Sequence, residues 1–206
     1  MGFYDKHILP HFINCACGTK PITRQRQKVV PLASGTVLEI GIGTGLNLRH
    51  YDASRIDRVI GLDPSEASWH IAEKNNPDLP FPLDFIGLPG EEIPLEENSI
   101  DTVMVTYALC TIPDPQAALA GMRRVLKPGG RLIFCEHGEA PDPGVKKWQD
   151  RVNPYWRAIA GGCNLNRPIP GLLEESGFRV KQLDSMYLPS TPRIAGFNYW
   201  GIAEQL

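Results

Sequence analysis

The sequence predicts an α/β fold: a doubly wound sheet of seven strands, mostly parallel, closing in a C-terminal antiparallel hairpin. Three observations lead there. Short apolar runs alternate with helical patterns between residues 36 and 136, as in a parallel sheet covered on both faces. A glycine-rich loop, Gly41-Ile42-Gly43-Thr44-Gly45, follows the first of these runs. The last two apolar runs, 178–188 and 195–203, look like a terminal hairpin pair.

Taken in order, residues 1–34 read as helical cover, with Tyr4, His7, Ile8, Phe12 and Ile13 at helical spacing. The first strand spans 36–40, and a helix is expected to begin over 46–51. The second strand, 58–62, runs into Asp63-Pro64-Ser65. Ser65 is placed to cap a helix with Glu66 in its first turn and Ala67, Ile71 and Ala72 on its apolar face. A weak third strand covers 83–86. The fourth, 100–107, is apolar almost throughout, as burial on both faces requires. Asp114-Pro115 opens a helix through Leu119, Met122, Val125 and Leu126, and Lys127-Pro128-Gly129-Gly130 stops it before a fifth strand at 131–136.

The segment 141–169 reads as a helical insertion on the substrate side, interrupted at Pro154 and Gly161-Gly162. Trp148, Val152, Tyr155, Trp156 and Ile159 recur there at roughly helical spacing. That stripe predicts a face buried on the sheet, with a lid over the crevice as the competing reading. A helix ending at Gly177 leads into the hairpin.

At 206 residues the chain is expected to form one domain, 1–206. A formal net charge of −2 supports neither nucleic acid nor an anionic membrane as the main partner. Arg123, Arg124 and Lys127 fall in the last turns of a helix, where cations suit the negative end of its dipole. The five cysteines, Cys15, Cys17, Cys110, Cys135 and Cys163, are odd in number, and no charged-then-apolar leader precedes them. Reduced thiols and a cytoplasmic location are the expectation. Cys15-Ala16-Cys17 has no second pair or spaced histidines to complete a tetrahedral site, so no metal is expected. No apolar run approaches the length that spans a bilayer.

Ligands of open α/β sheets bind beyond the carboxyl ends of the strands, so each loop there has a candidate role. The three glycines admit another molecule to the backbone, but their spacing is not the dinucleotide G-x-G-x-x-G. Glu39 before them repels an anion and suits a cofactor with a cationic end. Asp63 stands roughly twenty residues further on, where an acid can hold both hydroxyls of a ribose; capping a helix is its other reading. Gly90-Glu91-Glu92-Ile93-Pro94 would flank a base. Tyr107-Ala108-Leu109-Cys110 and Glu136-His137-Gly138 end the fourth and fifth strands beside the same crevice. Arg24 and Arg26 either meet a cofactor carboxylate or solvate a helix.

Together these residues resemble a class I S-adenosylmethionine-dependent methyltransferase over nearly the whole chain. Glu39, Gly41, Gly43 and Gly45 resemble motif I, and Asp63 the ribose-binding acid. The Gly90-Glu91 segment resembles the adenine loop, residues 101–107 motif IV, and Leu126-Lys127-Pro128-Gly129-Gly130 the turn before strand five. The resemblance implies a Rossmann-like methyltransferase fold and a donor, S-adenosylmethionine, that leaves as S-adenosylhomocysteine. It would be held by Glu39, Gly41, Ile42, Gly43, Gly45, Asp63, Pro64, Gly90, Glu91 and Tyr107. Leu109-Cys110-Thr111-Ile112, Cys135-Glu136-His137 and Gly162-Cys163-Asn164-Leu165-Asn166-Arg167 are similar to segments of the mammalian methyltransferase-like alkyl thiol S-methyltransferases. Those relatives open with an apolar membrane anchor, a segment this sequence does not show.

The acceptor expected is thus a small molecule, with a thiol first. Bacterial phosphatidylethanolamine N-methyltransferases and quinone C-methyltransferases share the general pattern and supply the alternatives. A cofactor-binding subunit without catalysis is a further reading, and the glycine spacing opposes a dinucleotide-dependent oxidoreductase. His137 is the candidate base or orienting group, with Glu136 fixing its ring, against a plain strand-end role. Cys110 and Cys163 are candidate pocket residues, against ordinary burial as small hydrophobes. Oligomeric state is left open.

Overall fold

The computed structural model describes residues 14–206. Its helix α1 (Lys20–Val29) precedes β1 (Gly35–Ile40) and β2 (Ile56–Leu62); α2 (Glu66–Asn75), β3 (Leu83–Ile86) and β4 (Ile100–Thr106) follow. Next come α3 (Pro115–Val125), β5 (Leu126–His137), α4 (Pro143–Ile159), α5 (Ile169–Glu175), β6 (Phe178–Tyr187), α6 (Arg193–Gly196) and β7 (Phe197–Gln205). The strands form one sheet in the order β3-β2-β1-β4-β5-β7-β6. β1 to β5 pair in parallel, and β7 lies antiparallel between β5 and β6. Strand order reverses between β1 and β4, which opens a crevice at their carboxyl ends.

Alternation along the strands divides the core into two layers. Leu38 and Ile40 of β1, Val103 and Val105 of β4, and Leu132 and Phe134 of β5 pack with Leu119, Met122 and Val125 of α3 and with Leu172 and Leu173 of α5. Val37, Met104, Ile133 and Cys135 face the other way, onto Val29 of α1 and the half-buried Trp69 of α2. Glu39 lies between Leu38 and Ile40 and so shares the second face, whereas Glu136 lies on the first. Asp114 caps α3 by accepting from the Ala117 N–H at 3.0 Å, and the Ser65 hydroxyl caps α2 at the Ser68 N–H.

Several expectations are corrected. No α-helix follows the glycine loop: residues 41–47 form turns, and Leu48–His50 is a single 3₁₀ turn. Gly45 sits at φ 73°, and the Asn47 side chain is drawn into a buried network, so the chain leaves helical geometry at Tyr51. Pro154 does not interrupt α4, which runs through it to Ile159 and ends before Gly161 and Gly162, both at positive φ. The fifth strand starts at Leu126, with an irregularity over Pro128-Gly129-Gly130 that shifts its register on β4.

The aromatic stripe of α4 is covered only in part, at the half-buried Val152 and Trp156. Trp148, Tyr155 and Ile159 are 56%, 77% and 61% exposed, while the polar Gln149 is fully buried. Gln149 accepts from the Ala140 N–H and donates to the carbonyls of Gly138, Leu165 and Ile194, so hydrogen bonds anchor the flank of the helix that Gln149 shares with the half-buried Val152 and Trp156. Tyr4, His7, Ile8, Phe12 and Ile13 lie outside the described residues. Among the described residues, no helix is long and apolar enough to cross a membrane.

Candidate functional site

The glycine loop lies against the loop that follows β4. A Cβ on Gly41 would stand 2.5 Å from the Ala108 Cβ, and Gly41 already sits at φ 68°, so only glycine is accommodated there. The Asp63 carboxylate links loop and second strand: Oδ2 accepts from the Gly43 N–H at 3.0 Å and Oδ1 from the Ser65 N–H at 2.8 Å. Each oxygen keeps a lone pair for a further donor. Burial raises the Asp63 pKa against those two bonds. Pro64 is exposed beside it. Ile42 is a core residue whose side chain would meet a Cβ at Gly61, so only its backbone faces the crevice. Gly90 is buried where a Cβ would press on Ile112, 2.8 Å away. Glu91 accepts from the Asp114 N–H through Oε1, and its buried Oε2 has no partner.

Beneath the loop is a polar network. Glu39 accepts from Asn47 Nδ2 at 3.0 Å and from the Tyr51 hydroxyl at 2.7 Å, so both of its oxygens are engaged. Arg26 donates to Asn47 Oδ1 and to Thr106 Oγ1, and its guanidinium lies 5.1 Å from the centre of the Tyr107 ring. Its Nε is buried and unpartnered. Asn47, Tyr51 and Thr106 carry no motif of their own in the sequence, and the fold brings them to Glu39 and Arg26 across 8 to 80 residues of chain.

Burial raises the Glu39 pKa to about 7 despite the bonds from Tyr51 and Asn47. A carboxyl raised on folding holds its proton in the native state while the unfolded chain has lost it. The cofactor-free protein therefore loses stability from this group as pH rises from about 4.5 to about 7. Glu39→Gln removes that contribution and leaves the same-signed one from Glu136. Its stability relative to the parent is expected to rise across this window, read by urea unfolding at pH 5 and pH 8. A parent that gains on Glu39→Gln over the window would contradict the assignment.

At the end of β5, Glu136 does not fix the imidazole of His137. Its carboxylate accepts from the Ala108, Leu109 and Cys110 N–H groups at 2.8, 3.1 and 3.3 Å. This grip holds the loop after β4 while Tyr107 sits at φ 55°. The Tyr107 hydroxyl donates to Asn198 Oδ1 at 2.7 Å.

His137 instead meets Cys163. His137 Nε2 and Cys163 Sγ are 3.0 Å apart, and Cys163 Sγ is 3.7 Å from Cys110 Sγ. Asn164 laces the two cysteine loops together, giving its N–H and Nδ2 to the Cys110 carbonyl. The Cys110 thiol and the His137 imidazole hold Cys163 well below the ordinary thiol range, against desolvation. The Trp156 indole nitrogen is buried without a well-formed hydrogen bond, yet its N–H also favours the Cys163 anion. Burial works against the His137 cation, but Cys163 outweighs it and raises the imidazole pKa. Arg167 binds the Leu109 carbonyl, and its charge reaches Cys110, Glu136 and Cys163. The structure thus brings His137, Cys110 and Cys163 together beside Tyr107.

A family model described as "Methyltransferase domain" matches residues 38–134. Thiol S-methyltransferase TMT1B of Homo sapiens is 36% identical over 176 residues, covering 80% of this chain and 71% of the relative. Demethylmenaquinone methyltransferase of Clavibacter sepedonicus is 29% identical over 134 residues, covering 64% of this chain and 52% of the relative. A solved structure from a complex of the Haloferax volcanii Trm112 methyltransferase activator with a methyltransferase superposes with a TM-score of 0.74 at 17% identity. The superposition covers 98% of this chain and 96% of that one, a likeness of fold.

Proposed function

The chain belongs to the S-adenosylmethionine-dependent methyltransferases, and from that premise we propose that its acceptor is a small thiol, methylated on sulfur beside Cys110, His137 and Cys163. One observation carries the choice of acceptor: the 3.0 Å contact of His137 Nε2 with Cys163 Sγ at the carboxyl edge of the sheet, 3.7 Å from Cys110 on the loop that abuts the glycine cradle.

The donor fits the residues on the other side of the crevice. The unpartnered Arg26 Nε is a donor for its carboxylate, and Asp63 has lone pairs for two ribose hydroxyls. Gly43 leaves its backbone open to a ligand, while Gly41 and Gly45, both at positive φ, pack the loop against Ala108 and against Leu48 and Ala72. Glu91 Oε2 is an unfilled acceptor for the amino group of a base, next to Gly90. Glu39 contributes indirectly by fixing Asn47 and Tyr51 under the loop. When bound, S-adenosylmethionine supplies an electrophilic methyl on a sulfonium, for in-line displacement.

The chain's own task is then to place the acceptor and handle its proton. His137 and Arg167 make this side of the pocket favourable to an anion. A protonated amine would enter against both. Cys163, held low as an anion, is too weak a base to take the proton of an ordinary thiol. The acceptor thiol gives it to solvent, and its thiolate is stabilised beside the imidazole. His137 is thus the group that stabilises the acceptor sulfur, and Cys110 orients Cys163.

S-adenosylhomocysteine release, followed for alkyl thiols, lipid amines and quinone precursors, tests this reading. Thiols are expected to turn over fastest. Turnover of lipid amines or quinone precursors without thiols would overturn it.

A further inference from the structure

We infer that Cys110, His137 and Cys163 form a binding site for one divalent cation of the zinc class, with the acceptor sulfur as its remaining ligand. The inference deepens the thiol reading above and rests on it. Two thiols and an imidazole are the soft and borderline donors that select zinc-like ions over magnesium or calcium. All three ligand atoms lie within 4.8 Å of one another.

The distances suit a tetrahedral ion. Bonds of about 2.3 Å to sulfur and about 2.0 Å to nitrogen set two sulfurs about 3.8 Å apart and a sulfur–nitrogen pair about 3.5 Å apart. The two cysteine sulfurs already stand at 3.7 Å, the His137–Cys163 pair at 3.0 Å opens slightly, and the Cys110–His137 pair, within 4.8 Å, closes onto the ion. The scaffold is held from three sides. Glu136 grips the Cys110 backbone, Asn164 ties the Cys163 turn to the Cys110 carbonyl, and His137 ends a central strand. Such preorganisation is what a metal site draws on.

Among the described residues the cluster offers three ligands, and three protein ligands with an open position is the arrangement of catalytic zinc rather than structural zinc. The cation displaces both the hydrogen shared by Cys163 and His137 and the Cys110 thiol proton, and the two protons pass to solvent. An acceptor thiol that completes the coordination loses its proton to solvent. Its sulfur lone pair forms the new bond to the methyl group while the donor's sulfur–methyl bond breaks, and that electron pair stays on S-adenosylhomocysteine. The product is a neutral thioether, a weak ligand that leaves.

The test is a Co²⁺ titration of the reduced full-length chain, with zinc measured by elemental analysis in the protein as purified. One equivalent is expected, with sulfur-to-cobalt charge transfer and the intense d–d bands of four-coordinate cobalt. Cys110→Ser and Cys163→Ser are each expected to weaken binding by about 100-fold or more. An added alkyl thiol should shift the d–d bands, and its S-methyl ether should not. Calorimetric binding of S-adenosylmethionine verifies that each variant is folded.

No cobalt signature, or one unchanged in both folded variants, would overturn the metal site. Thiol turnover that persists under a chelator, with no cobalt bands, removes the metal and leaves the thiol acceptor standing. Cobalt bands indifferent to thiols, with turnover confined to amines, overturn the acceptor sulfur as a ligand and the thiol reading together.

Discussion

Asp63→Ala is expected to weaken S-adenosylmethionine binding by about 100-fold or more, since each hydrogen bond to a charged group contributes about 1.5–3 kcal/mol. Two effects combine. The ribose loses its carboxylate partner, and the Gly43 and Ser65 N–H groups lose the acceptors that shape the loop and the start of α2. Asp63→Asn keeps the shape but offers one oxygen instead of two, so it should fall between parent and Asp63→Ala. Calorimetry of the three proteins measures this, with thermal unfolding as the control for folding. Equal affinity in all three would mean that Asp63 is only a helix-start residue.

The second large effect is expected at His137. His137→Ala should lower kcat for thiol acceptors by about 100-fold, the usual scale for a positioned proton-handling group. S-adenosylmethionine affinity should stay within about twofold, because the imidazole bonds Cys163 and makes no hydrogen bond to Asp63 or Arg26. Cys163→Ser removes the same pair from the other side and should cost turnover similarly. Their effects are expected to be strongly non-additive, since they act as one unit. A loss confined to donor affinity, or additive losses, would show that the pair shapes the pocket without taking part in methyl transfer.

Much of this architecture could be read from local pattern. Strand periodicity, the glycine loop and the Asp63-Pro64-Ser65 turn depend on neighbours in the chain, and the structure keeps all three. What was not legible depends on distant partners. Asn47 belongs to a helix by position, but it bonds Glu39, Arg26 and Thr106, and that network ends the helical geometry. Glu136 sits next to His137 in sequence, yet strand alternation puts it on the opposite face, where the 108–110 loop claims it. The helical spacing of Trp148, Tyr155 and Ile159 marks a face without saying which side is covered. Gln149, with its four hydrogen bonds, decides that. Cys163 is a candidate pocket residue by its motif, but its pairing with His137, 26 residues away, and Cys110, 53 residues away, comes from the fold.

The central claim is that a methyl-donor cradle is joined here to a sulfur-handling pocket. Its most direct test is a one-pot competition in which the protein receives methyl-labelled S-adenosylmethionine with an alkyl thiol, a phospholipid amine and a quinone precursor. Mass spectrometry then locates the label. Label on sulfur, lost in His137→Ala, is the predicted result. Label on nitrogen or carbon with none on sulfur would contradict the account.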